Sequence, residues 1–112
     1  VLAFSFTGKP KREIIFVDDI ADACIYFMGK KTKKNLINIG TGNDLSIESY
    51  AKYLMKFFNV RLKIKKNLKM PDGIKRKLLN VKLANSLGWK AKTNLKDGLK
   101  ITLEDLNKKN FF

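Results

Sequence analysis

Asp72, Lys75, Arg76 and Lys77 lie close together in the stretch PDGIKRKLLN, Pro71 to Asn80. A carboxylate and three cations in one short segment suit the holding of an anion, provided the backbone aims them. Proline fixes one backbone angle and glycine admits positive φ, so Pro71-Asp72-Gly73 reads as a turn that directs the side chains after it. The Leu78-Leu79 pair that follows reads as buried. The competing reading of the three cations is a solvated surface, the usual fate of a charge run.

Other chemistry is excluded by composition. The chain has no histidine, which removes the commonest general base and metal ligand. Its single cysteine, Cys24, can form neither an internal disulfide nor a zinc site. Within an apolar helical pattern Cys24 reads as a small buried thiol, which fits a reducing, cytoplasmic setting. Gly40-Thr41-Gly42 follows a strand-like run, but no third glycine arrives at the dinucleotide spacing, and the next capped helix begins only at Ser46. It reads as a turn, with no cofactor bound by this chain. Tyr26 and Lys30 stand at the Tyr-x-x-x-Lys spacing of a reductase pair. However, Gly29 should end the helix between them, Tyr26 lies off the apolar stripe, and no glycine-rich loop precedes them.

The formal charge is +14, which raises the question of a nucleic-acid partner. Of 24 basic residues 21 are lysine and only Arg12, Arg61 and Arg76 are arginine, whereas base and phosphate recognition leans on the planar guanidinium. Lys30-Lys31 and Lys33-Lys34 fall between expected elements and read as solvated surface, so a nucleic-acid partner is not expected. The basic field suits a small phosphorylated ligand. No apolar run approaches the roughly 20 residues that span a bilayer, and no leader opens the chain, so no membrane association is expected.

The elements that must position these residues alternate. Ile14 to Val17 and Leu36 to Ile39 read as strands. Asp18 and Asp19 supply the N-cap of a helix with Ile20, Ala23, Cys24, Phe27 and Met28 on its apolar face, ended by Gly29. Ser46 caps a helix with Ile47, Tyr50, Ala51, Leu54 and Phe58 on one face. Arg61 to Lys65 alternates, which makes a half-buried strand with a cationic face. Leu83, Ala84 and Leu87 mark a short helix stopped by Gly88, Trp89 is a core anchor, and Asn94 with Asp97 opens the last helix, whose apolar face is Leu95, Leu99, Leu103 and Leu106. The pattern is α/β, a small sheet with flanking helices, with no linker that would divide residues 1–112. At 45% hydrophobic residues the chain is apolar enough to fold despite its charge.

Four blocks carry a family resemblance: KREIIFVDDIADA (Lys11 to Ala23), NIGTG (Asn38 to Gly42), PDGIKRKLLNV (Pro71 to Val81) and LGWKAKTNLKDGL (Leu87 to Leu99). In order and spacing they resemble the C-terminal half of the GDP-L-fucose synthase family, extended short-chain dehydrogenase/reductases that act as epimerase-reductases. The first two blocks are shared widely among nucleotide-sugar epimerases and dehydratases, whereas the third narrows the resemblance to the fucose synthase branch.

The resemblance implies a substrate-binding lobe whose NADP-binding Rossmann domain, with the catalytic Ser, Tyr and Lys, precedes Val1. By that resemblance Arg12, Arg76 and Lys77 lie near the diphosphate of a GDP-sugar, Asp72 accepts from ribose hydroxyls, and Lys63 is a further candidate for the same anion. Lobes acting on UDP- or dTDP-sugars, and a stand-alone basic interaction module, are the alternative readings. Two positions depart from the family pattern: Ser5 stands where a Trp is usual, and Phe16 where a His is usual. A lobe on its own should expose an apolar patch where the Rossmann domain would sit, which invites self-association into a homo-oligomer.

Overall fold

The structure, a computed structural model, describes residues 1–4 and 6–110, with the side chain of Phe4 excepted. Its contacts gather into two compact units: Val1–Glu13 with Asn43–Leu78, and Ile14–Gly42 with Leu79–Phe112. The α/β class is as expected, with four helices and two small sheets among the described residues.

Among the described residues, the strands lie in the first unit. β1 (Leu2–Phe4) pairs in parallel with β4 (Ile64–Lys66). β2 (Lys11–Arg12) is the centre of a second sheet, antiparallel to β3 (Leu45–Ser46) and parallel to β5 (Arg76–Lys77). Helix α2 (Ile47–Phe57) follows β3 directly, and Ser46 caps it as expected, its hydroxyl accepting from the Ser49 amide at 3.1 Å. The loop before β2 is tied to the start of this helix: the Ile47 amide donates to Pro10 O and the Glu48 amide to Gly8 O, both at 3.0 Å. These bonds satisfy amides that a helix start leaves without an intrahelical partner.

The second unit is helical: α1 (Val17–Met28), α3 (Lys82–Ser86) and α4 (Leu95–Lys108). Its core is Ala23, Ala84 and Trp89, with Ile15, Tyr26, Phe27, Ile37 and Ile39 packed around it. Trp89 is 2% exposed and its Nε1 donates to Asp22 Oδ2 at 2.9 Å, so the buried indole has its partner. Gly88, just before it, has φ +94, and a Cβ there would stand 2.6 Å from the Tyr26 hydroxyl, so glycine is required on both counts. Asn94 opens α4 as expected: its Oδ1 accepts from the Asp97 amide at 2.9 Å and its Nδ2 donates to Asp97 Oδ2 at 2.8 Å.

Several expectations are corrected. Neither Ile14–Val17 nor Leu36–Ile39 forms a ladder among the described residues; the strand lies earlier, at Lys11–Arg12. The strand expected at Arg61–Lys65 is shifted to Ile64–Lys66, and Leu62 is exposed. The N-cap of α1 is Phe16, not Asp18 or Asp19. Asp19, 5% exposed, instead accepts from the Lys92 amide at 3.2 Å, the Thr93 amide at 2.9 Å and the Thr93 hydroxyl at 3.2 Å. Cys24 and Leu79 are exposed and Leu78 is half-buried. Pro71–Ile74 forms no assigned turn, and Gly73 is not among the positive-φ glycines, which are Gly8, Gly42 and Gly88.

Because Trp89 fills the middle of the helical unit, Trp89→Ala should lower its unfolding free energy by about 3–5 kcal/mol. Urea unfolding followed by helical circular dichroism measures this, and a loss below about 1 kcal/mol would mean that the core lies elsewhere.

Candidate functional site

Thr7 organises the site. Its amide and hydroxyl donate to the two carboxylate oxygens of Asp72, at 2.9 and 2.7 Å, and the same hydroxyl accepts from the Lys9 amide at 3.1 Å. One residue thus fixes both the Pro71–Ile74 segment and the loop that carries Lys9. Gly8, with φ +79, makes the bend between them, a conformation that suits glycine. Next along the chain, the Lys11 amide donates to Lys75 O at 2.8 Å and places β2 beside β5.

These ties form a cleft of about 370 Å³, lined by Lys9, Pro10, Lys11, Asp72, Lys75 and Arg76. The register explains the membership. Lys11 faces Arg76 and Arg12 faces Lys77 across the parallel pair, and side chains alternate along a strand. Lys11 and Arg76 therefore share the cleft side, and Arg12 and Lys77 share the other.

Of the residues singled out from the sequence, the structure brings Asp72 and Arg76 together and separates the rest. Arg12 is half-buried; its Nη1 donates to Lys11 O at 2.7 Å and Ile74 O at 2.8 Å, and its Nη2 lies 3.6 Å from where a Gly73 Cβ would sit. It braces the segment that carries Asp72. Lys77 is exposed on the far side. Lys63 is exposed ahead of β4, where its carbonyl accepts from the Leu2 amide at 2.9 Å, and it does not line the cleft. Ser5 lies outside the described residues. Phe16 is half-buried against α4, with its Cδ2 3.3 Å from where a Gly98 Cβ would sit, so this position serves packing. Lys9 and Lys11 were missed from the sequence. Lysine is too common in this chain to mark them, and only the β2–β5 register brings them to Arg76.

Arg76 is oriented by Asp44: Nε donates to Oδ2 at 2.5 Å and Nη2 to Oδ1 at 3.1 Å. This two-point contact fixes the plane of the guanidinium, while the arginine side chain stays 58% exposed. The Arg76 hydrogen bond, aided by the charges of Arg76 and Lys11, holds the Asp44 carboxyl below its usual range against an opposing burial effect. Asp72 is likewise held low, first by the Thr7 hydroxyl and then by the Thr7 amide and the charge of Lys9.

Tyr26 and Lys30 are both engaged in packing contacts. The Tyr26 hydroxyl donates to Leu87 O at 2.8 Å, and Lys30 Nζ lies 4.9 Å over the Tyr26 ring. Tyr26 is half-buried against the core rather than off the packed face. Gly42 has φ +76, and a Cβ there would press Val81 Cγ2 at 3.0 Å, so turn geometry and packing account for it. Among the described residues no acidic, cysteine or histidine cluster could hold a metal, and no helix is long and apolar enough to cross a membrane.

Comparison with known proteins shows what the chain as a whole is similar to. No protein-family model matches the chain. It is 37% identical over 98 residues, 88% of its length, to a protein named putative GDP-L-fucose synthase 2 from Arabidopsis thaliana. A GDP-mannoheptose C4 reductase from Campylobacter jejuni, solved with NADP bound, superposes with a TM-score of 0.77 at 36% identity over 91% of this chain and 33% of its own. A UDP-glucose 4-epimerase from Thermotoga maritima, solved with UDP-glucose, gives a TM-score of 0.83 at 27% identity over 96% of this chain and 35% of its own. The chain belongs to the extended short-chain dehydrogenase/reductase family of nucleotide-sugar epimerases and reductases. Within that family its sequence matches GDP-L-fucose synthases, and it spans about 30% of the length of the curated relatives it matches.

The two lowered carboxyls give the site an acid limit. A carboxyl depressed in the fold contributes stability that is present above its unfolded pKa, about 4, and is lost as pH falls through its folded value. The strand-bearing unit should therefore loosen below about pH 4. Combining Asp44→Asn with Asp72→Asn should shrink the drop in melting temperature between pH 7 and pH 3. An unchanged drop would show that these carboxylates are not what acid disrupts.

Proposed function

We infer that this chain is the sugar-nucleotide-binding portion of an epimerase/reductase of the GDP-L-fucose synthase kind, and that the lysine-rich cleft takes the diphosphate of a GDP-sugar. The observation that carries the reading is the convergence of Lys9, Lys11, Lys75 and Arg76 on one cleft whose only lining carboxylate, Asp72, is already bonded to Thr7. With Asp44 on Arg76 and Asp72 at the rim, the four cations keep a surplus of two positive charges. That surplus matches a diphosphate diester, which carries one charge on each phosphate. Charge-assisted hydrogen bonds are the strong ones in such a site.

Arg12 serves by holding the Gly73–Ile74 backbone, and Lys77 and Lys63 add to the attracting field from outside the cleft. Asp72 keeps lone pairs beyond those Thr7 uses, so it can still accept from a ribose hydroxyl at the rim. The NADP site and the Ser, Tyr and Lys catalytic group are assigned to the remaining length of the relatives, so this chain alone binds and does not turn over. When bound there, NADP would supply hydride chemistry. A reducing, cytoplasmic setting suits the exposed thiol of Cys24. The likeness to the UDP-glucose 4-epimerase supports a second reading, a UDP-sugar at the same cleft.

Calorimetric titration at physiological salt distinguishes these. GDP-mannose should bind more tightly than UDP-glucose, and Lys11→Ala or Lys75→Ala should each weaken it on the order of tenfold or more. Arg12→Ala should weaken it through loss of the brace. UDP-glucose prevailing would select the second reading. Equal, steeply salt-dependent binding of every polyanion, RNA included, would overturn both.

A further inference from the structure

Residues 59–70, which lead from α2 toward the cleft segment, read NVRLKIKKNLKM: five cations, no carboxylate and no aromatic ring. Lys66 is spent on Glu48. Arg61, Lys63, Lys65 and Lys69 are exposed and make no ion pair among the described residues.

Within this stretch the chain turns tightly just past β4. The Met70 amide donates to Asn67 O at 3.3 Å and the Lys69 amide to Asn67 Oδ1 at 3.2 Å, so Asn67 closes the turn with its backbone and its side chain together. Leu68 and Lys69 are its two central residues. Such positions ordinarily take glycine, proline or a short polar residue. Here Leu68 is 71% exposed, and Met70, where the turn closes, is 50% exposed. Neither side chain belongs to the buried core, so packing does not account for them. An ordered turn thus holds a leucine out in water, with Lys65 and Lys66 before it and Lys69 after it.

We propose that the turn 67–70 is a peripheral membrane contact: Leu68 and Met70 enter the headgroup boundary of an anionic bilayer, Lys65 and Lys69 meet the lipid headgroups, and Arg61 and Lys63 add to the attraction. Both parts are needed for the assignment. Cations alone suit any polyanion, and an exposed leucine alone suits any apolar partner. Together they match a surface that carries negative charge outside and hydrocarbon beneath. Single-stranded RNA is held by stacking on aromatic rings, and this stretch offers none. The expectation of no membrane association rested on the lack of a spanning run, and a contact of this kind needs no spanning helix. Long lysine stems let the ammonium groups stay at headgroup level while the tip sits deeper.

Sedimentation with lipid vesicles at about 0.15 M salt tests this. The chain should pellet with vesicles of equal parts phosphatidylcholine and phosphatidylglycerol, and stay in solution with phosphatidylcholine alone. Leu68→Asp should leave the melting temperature unchanged and weaken vesicle binding by about tenfold or more. Lys65→Gln combined with Lys69→Gln should weaken it by about tenfold through lost attraction. In Leu68→Trp the added fluorescence should be quenched by lipids brominated near the top of the acyl chain, over the constant background of the buried Trp89; this readout stands even where Leu68→Asp does not fold. Absence of binding to the anionic vesicles, binding that survives Leu68→Asp in a folded chain, or an unquenched Leu68→Trp would overturn the proposal. Binding lost on Met28→Asp but kept in Leu68→Asp would overturn it by placing the contact on α1. Displacement of the vesicles by polyglutamate or by RNA at the same salt would overturn it in favour of an acidic polypeptide or a nucleic acid.

Discussion

The site depends on one side-chain contact between residues far apart in sequence, the pair of hydrogen bonds from Thr7 to Asp72. Two-residue strands have little holding power of their own; β2 and β5 meet over only Lys11–Arg12 and Arg76–Lys77. What keeps so short a ladder in register is the clamp on either side of it. Thr7 holds Asp72 ahead of the strand, and Arg12 reaches across to Ile74 O. Slipping β5 by one residue would turn Arg76 away from the cleft and Lys77 into it. The composition of the cleft is therefore a consequence of the clamp, and the lysines are cargo that it positions.

This geometry explains what could and could not be read from the sequence. Caps and stops depend on neighbours within four residues, so Ser46, Asn94, Gly29 and Gly88 were legible and the structure bears them out. Trp89 was legible because a lone tryptophan beside a short apolar helix has little choice but the core. Membership of the cleft was not, since Lys9 and Lys11 look like any of the other lysines until β5 is laid beside them. The two misplaced strands failed for a different reason. Ile14–Val17 and Leu36–Ile39 have strand composition, but a strand exists only with a partner, and among the described residues none is supplied. The error at Cys24 follows from the same limit: periodicity showed that α1 has apolar faces, and it could not show which one its own unit would use.

Most of the acidic residues are engaged in holding shape. Of its ten carboxylates, Asp19, Asp22, Asp44, Glu48, Asp72, Asp97 and Asp105 are each tied to a named donor. Asp19 is the most committed. It is buried, at the start of α1, and it collects the amides of Lys92 and Thr93, which lead into α4. A residue that looked like a cap instead joins distant parts of the helical unit.

Charge surplus and specificity are separate matters in the strand-bearing unit. It carries thirteen basic and four acidic residues, enough to draw in any polyanion, but over more than about 8 Å salt screens that attraction at physiological strength. Lysines on flexible stems contribute mainly to this field, because a point charge on four carbons imposes little geometry. Arg76 is different. Asp44 cancels part of its charge and in exchange fixes the guanidinium plane on one edge. If discrimination among phosphorylated ligands resides in the cleft, it resides in that one oriented group and in the Thr7-anchored carboxylate opposite, with the lysines supplying encounter.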